Sequence, residues 1–150
     1  MKVVRVFLAI VIAAAAASCG RSDPEAAIRE VLTAAETAAE ARDGGFLGGL
    51  LAPTYSDSRG NDRTQMIDLI RGYFLAHSSF EIVTTIDEIV LDSADAARVV
   101  VHAGIVGKRA GQPLLGGLNG ELQRVQLQLR RQDSDWQVTA ASWQPAVGER

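Results

Sequence analysis

The groups in this chain that could move a proton or hold a polar ligand are few and widely spaced. His102, Asp87, Tyr55 and Tyr73 carry the acid–base and hydrogen-bonding chemistry, while Trp136 and Trp143 could wall a pocket. A histidine titrates near neutrality and can act as a general acid or base. On the wet face of a sheet, the same residue is only a solvated side chain. Asp57, two positions after Tyr55, is either a partner for that phenol or a turn residue bonding its own backbone. The only other histidine, His77, stands 25 positions before His102. With one cysteine in the chain, that spacing builds no transition-metal cluster. No Gly-x-Ser-x-Gly elbow and no phosphate loop occurs. The expectation is therefore no metal and no cofactor.

Cys19 raises a different chemistry. Lys2 and Arg5 precede an unbroken apolar run from Val6 to Ala17. A basic start followed by about 7–15 apolar residues is the pattern of a secretory signal. The run is short of the ~20 residues that a membrane-spanning helix needs. A lone thiol in an oxidising compartment invites oxidation or intermolecular pairing. Ala16-Ala17-Ser18-Cys19, with small residues directly before the cysteine, resembles the lipobox of bacterial lipoproteins, although that family usually has Leu where Ala16 stands. The resemblance implies a signal peptide over residues 1–18, acylation of Cys19, and anchoring by several acyl chains that is effectively permanent. Gly20, where the resembling proteins retained in the inner membrane have Asp, implies the outer membrane, periplasmic face.

Loss of Lys2 and Arg5 from a chain of 15 basic and 18 acidic residues leaves a net charge of −5. That sign disfavours nucleic acid and anionic head groups as partners. The remaining length suits one domain with one core.

The elements that must position these groups follow from periodicity. Ser22-Asp23-Pro24-Glu25 signals a helix start, and Ile28, Val31, Leu32, Ala35, Ala38 and Ala39 supply its apolar stripe up to a stop at Asp43-Gly44-Gly45. Residues 19–22 are then the whole linker between the acylated cysteine and a domain spanning 23–146. Phe46–Ala52 reads as a short helix ended by Pro53, and Tyr55–Asn61 as a loop, with at most a very short strand before it. Asp62-x-x-Gln65 reads as a capping box opening an amphipathic helix that carries Met66, Ile67, Ile70, Tyr73 and Phe74 and ends near His77. There an imidazole suits the helix C-terminus.

Strand-like patterns follow at Phe80–Leu91, Ala97–Gly107, Leu122–Arg131 and Trp136–Gln144. In the third, Gln123, Val125, Leu127 and Leu129 make the buried face. In the second, His102 shares a face with Arg98, Val100 and Val106. Short polar turns imply antiparallel neighbours. Lys108–Gly120 reads as a glycine-rich connection. Its Leu114–Leu118 stretch would lid a cavity, meet a partner or membrane, or pack on the sheet edge. Helices followed by hairpin-linked strands predict an α+β fold with one antiparallel sheet.

The element order, the stretch "RTQMIDLIRGYFLAHSSFEI" and the closing "DWQVTAASWQP" together resemble the nuclear transport factor two-like superfamily. Its cone-shaped, cystatin-like fold is shared with ketosteroid isomerase, scytalone dehydratase and the SnoaL-like cyclases. The resemblance covers about Asp23 to Pro145. It implies N-terminal helices on a strongly curved sheet, enclosing a cavity for a small hydrophobic molecule. By likeness to the isomerases, Tyr55 with Asp57 or Asp87 would be the catalytic analogue, and by likeness to the dehydratases His102 the acid/base. Because the fold hosts unrelated functions, three readings stay open: a lipid-anchored, non-enzymatic binding or assembly domain, a cavity isomerase, dehydratase or cyclase, and a homodimer packed through the sheet face.

Overall fold

The computed structural model describes residues 22–109 and 122–146, with side chains placed outside 105–109. Cys19, the stretch 1–18 read as a signal peptide and Leu114–Leu118 lie outside the described residues. The order of elements is α1 (Pro24–Glu40), α2 (Gly44–Leu50), β1 (Leu51–Asp57), α3 (Arg63–Ala76), β2 (His77–Ser93), β3 (Ala96–Arg109), β4 (Gln123–Gln132) and β5 (Asp135–Pro145). Three helices thus pack on one five-stranded sheet ordered β1-β5-β4-β3-β2.

Local chemistry accounts for most boundaries. The Asp23 carboxylate accepts from the Glu25 N–H and Pro24 opens α1, which satisfies a donor that the helix cannot. Asp62 and Gln65 close a capping box over α3, each side chain bonding the other's backbone. Asp43, expected to stop the first helix, instead caps the second by accepting from Phe46 N–H. The reversal falls at Arg42, with φ of 61°. In α2, a Cβ on the buried Gly48 would stand 3.2 Å from Ile67 Cδ1, so the missing side chain sets how closely α2 approaches α3.

The sheet departs from the sequence reading in its first strand. The stretch around Tyr55 is a seven-residue strand and not a loop, and it runs parallel to β5, so the sheet is mixed and not wholly antiparallel. Pro53 hides this strand from a propensity reading. A proline is tolerated there because β1 lies at the sheet edge. Two further boundaries move. His77 is already extended (φ −122°, ψ 124°), so α3 passes straight into β2, and β3 continues through Lys108 and Arg109. The β4–β5 turn is Asp133-Ser134, both at positive φ (51° and 81°), the two-residue geometry that matches strand twist.

One face of the sheet meets the helices. Ile28 of α1 is wholly buried against Ala97, Val99 and Val101 of β3, Leu129 of β4 and Trp136 of β5. The alternation read in β3 and β4 therefore has its apolar phase inward. By contrast, α3 buries none of its residues fully, and Leu75 near its end is 85% exposed. Two α1 carboxylates reach the edge strand β2: Glu40 accepts from the Ile82 N–H and Glu36 from the Thr84 hydroxyl. No helix of the described residues is long and apolar enough to cross a membrane.

Candidate functional site

The groups singled out by type are dispersed over the fold. Tyr55 is 4% exposed on edge strand β1, and its hydroxyl donates to Asp57 Oδ2 at 3.4 Å. Asp57 also accepts from the N–H groups of Arg59 (2.9 Å) and Asn61 (3.0 Å) and from Asn61 Nδ2 (2.9 Å). Desolvation pushes that carboxyl up, but these bonds outweigh it and hold it below the ordinary carboxylate value. A carboxylate so engaged is a turn anchor and a poor base. Burial, followed by the negative charge of Asp57 and the bond to it, pushes the Tyr55 phenol well above its ordinary value. It is therefore a neutral donor throughout the physiological range.

Tyr73 and Trp136 are placed elsewhere. Tyr73 stacks on His77 with ring centroids 4.0 Å apart and meets Phe80 edge-on at 5.2 Å, so it belongs to an aromatic cluster where α3 enters β2. Burial raises its phenol too. His77 Nδ1 lies 3.0 Å from the Tyr73 carbonyl, a bond at the end of the helix. Trp136 is packed in the core. Its indole N–H has no hydrogen-bond partner among the described residues.

Asp87 and His102 do meet. His102 Nδ1 is 2.9 Å from Asp87 Oδ2, and the two side chains are 28% and 41% exposed. When Nδ1 donates to the carboxylate, Nε2 is left as the acceptor of a neutral imidazole, which is the arrangement of an oriented base. The pair stands on the outer face, away from the helices. Its neighbour Val101 belongs to the core, and His102 alternates with it. A β-bulge shapes this corner. Strict alternation from Ile86 would turn Glu88 inward, but Asp87 and Glu88 together face Val100, and Ile89 returns to the core opposite Val99. Both acids are thereby kept outside.

Tyr55 and His102 do not converge. Three strand steps separate β1 from β3, on the order of 14 Å along a sheet at ordinary spacing. No hydrogen bond links the two pairs among the described residues.

Beside His102 the outer face carries a hollow of about 430 Å³, spread over all five strands, with Glu88, Arg98, Val100, Arg124, Gln126 and Ser142 among its lining residues. None of Tyr55, Tyr73, Asp87, His102 and Trp136 lines it. Arg98 is held by Asp92 through three bonds of 2.9–3.1 Å. That hydrogen bonding, then the nearby charges of Asp92 and Glu88 against a small opposing desolvation, raises the Arg98 guanidinium above its ordinary value. The sequence reading passed over these residues because Arg124, Gln126 and Gln128 look like any solvated strand face. The available signal was small side chains on the wet side, Val100, Ala140 and Ser142, which leave a depression.

No protein-family model matches the sequence, and no curated protein matches it. Solved structures do match, as folds. A candidate scytalone dehydratase from Novosphingobium aromaticivorans superposes with a TM-score of 0.72 at 11% identity, over 82% of this chain and 84% of that one. A candidate dehydratase of the NTF2-like family from Streptomyces avermitilis gives 0.69 at 17%, over 83% and 97%. A domain of unknown function with a cystatin-like fold from Nostoc punctiforme gives 0.67 at 13%, over 86% and 81%. The fold of this chain is thus NTF2-like, or cystatin-like. At such identities the likeness reaches no further than the fold.

Proposed function

We propose that this chain is an exported lipoprotein, acylated at Cys19 and held on the periplasmic face of the outer membrane, whose NTF2-like domain binds a small ligand or partner without transforming it. One observation carries the non-catalytic part: the groups that could have made a catalytic set are scattered. Tyr55 sits on an edge strand beside a carboxylate already saturated with donors. Tyr73 is in an aromatic cluster and Trp136 in the core. Catalysis needs its groups within hydrogen-bond reach of one reacting centre. The anchor rests on the sequence alone, through the apolar run and the small residues before Cys19.

Two experiments test this reading. Metabolic labelling with a radioactive fatty acid marks the wild-type protein and leaves Cys19→Ala unlabelled and released from the membrane fraction. Equal labelling of the two, or a mutant still in the membrane, defeats the anchor. Mass spectrometry of protein extracted gently from its own membranes recovers a stoichiometric small molecule, chemically unchanged after incubation with the protein. A product that differs from it in mass or, for an isomer, in chromatographic retention or magnetic resonance spectrum defeats the non-catalytic reading.

The His102–Asp87 contact favours a second reading, an isomerase, dehydratase or cyclase with His102 as base. Its discriminator is the same incubation with His102→Ala. Turnover by the wild type and none by the variant would establish it.

A further inference from the structure

The outer-face hollow has a chemical bias that its residues spell out. Val100 of β3, Gln126 of β4 and Ser142 of β5 are in register with one another, so they form a row across three strands at steps of about 4.8 Å. They make a floor of one small apolar group flanked by an amide and a hydroxyl. Arg124 and Gln128 stand two residues to either side of Gln126 on the same face. Glu88 and Arg98 close the β2–β3 side.

The charges in this hollow are unevenly committed. Arg98 is bound to Asp92, with Glu88 adding to the field that holds its charge. The Asp57 carboxylate is saturated by its own turn. Arg124 is half-buried and has neither hydrogen bond nor ion pair among the described residues, and the Gln126 and Ser142 side chains make no hydrogen bond there either. One uncommitted guanidinium, with an amide and a hydroxyl on its own face, matches one carboxylate. The planar fork of arginine donates to two carboxylate oxygens at once, and an ionic hydrogen bond is about twice as strong as a neutral one. Glu88 sets an upper limit on ligand charge, since a dianion would meet it across the floor. Val100 and Ala140 offer a short apolar bed for the rest of the molecule. The volume lies in the ordinary range of small-molecule sites.

We infer that this hollow binds a small monocarboxylate, its acid group on Arg124 and its body lying over Val100 toward Ala140. A second copy of the chain fits the same face less well. Two concave faces brought together by a two-fold axis meet at their rims and enclose a polar chamber of twice the volume that water fills, so little apolar surface is removed from water. The inference deepens the binding-domain reading above and rests on it.

The test is a titration of the full chain in detergent with N-acetyl-L-alanine, following the side-chain amide resonances of Gln126 and Gln128 by nuclear magnetic resonance. The expected result is a saturable shift at both amides. Affinity falls about tenfold or more, which is ~1.4 kcal/mol, for the uncharged methyl ester and for Arg124→Gln. Arg71→Gln, on the exposed side of α3, binds as wild type. Gln126→Glu, which puts a like charge on the floor, serves as a second variant and abolishes the shift at Gln128, the amide it leaves in place.

The proposal is overturned by no saturable shift, by equal binding of the ester, by wild-type affinity in either hollow variant, or by stronger competition by inorganic phosphate than by the acid. An Arg124-dependent dimer in sedimentation, formed without probe, overturns it in favour of the second copy. A native ligand recovered from membranes that leaves both amides unmoved removes this location and leaves the binding reading standing.

Discussion

The two faces of the sheet solve opposite problems. On the inner face, Ala97, Val99, Val101 and Leu129 are buried to within a few per cent against Ile28, and their worth is the area they remove from water. On the outer face, Arg98, Val100, His102, Arg124 and Gln126 alternate with them on the same two strands yet stay partly wet. Each strand therefore spends every second residue on stability and leaves the remainder open to selection for something else. The difference also shows in chemistry. The indole N–H of Trp136 stands without a partner among the described residues on the inner face, whereas Asp87 with His102 and Asp92 with Arg98 meet as pairs on the outer one.

The sharpest way to break this contrast is to damage the inner face. Ile28→Ala removes the most completely buried side chain of α1 and should cost about 2–5 kcal/mol, read as a lowered urea midpoint with little change in slope. A smaller but clear loss is expected at the helix side of β1. The Arg63 guanidinium donates to the carbonyls of Leu51 (3.0 Å) and Gly48 (2.9 Å), so Arg63→Leu takes a donor from each, leaving Gly48 with the Leu51 N–H, and should cost about 1–3 kcal/mol.

Tyr55→Phe sharpens the contrast through pH. The folded-state value of this phenol is raised, so its contribution is full below the unfolded tyrosine value near 10 and is lost as pH rises toward the folded one. Thermal melts of the wild type should fall above about pH 10, and the variant should show a shallower alkaline decline. An identical decline in both would mean that the phenol is not desolvated. The smallest effect belongs to the outer face. Asp92→Ala breaks the exposed bridge to Arg98 and should leave the thermal midpoint almost unmoved, any small decrease being erased by added salt.

How much of this was legible beforehand follows from the period of each element. In β4 the alternation of Val and Leu with Arg and Gln is strict from Arg124 to Arg130, and in β3 Arg98 and His102 mark the wet phase on either side of Val100, so both faces could be assigned without coordinates. The helix starts at Asp23 and Asp62 carry their caps in the sequence. What escaped was whatever depends on partners distant in the chain. Pro53 made β1 look like a loop, because only its place at the edge beside β5 makes a proline harmless. The bulge at Asp87–Glu88 was invisible because "IDEI" fits either phase of a strand until its neighbour is known. The His102–Asp87 contact depends on that bulge, and the two residues entered the sequence reading separately, one as a base and one as an acid. The hollow escaped for a simpler reason: a depression is made by what is absent, and the small side chains of Val100, Ala140 and Ser142 mark it only when their neighbours across the strands are known.

The reach of α1 onto the edge strand has a bearing on how this protein behaves at high local density. A strand seventeen residues long, left at the margin of a sheet, is a natural template for the growth of a second chain along it. Glu40 has taken the Ile82 donor, and Glu36 sits beside it on Thr84. An incoming backbone carbonyl would find that place filled and would face negative charge on arrival. If Cys19 confines the molecules to a membrane plane, where neighbours are always close, these two glutamates stand where they hinder edge-to-edge pairing along that part of β2.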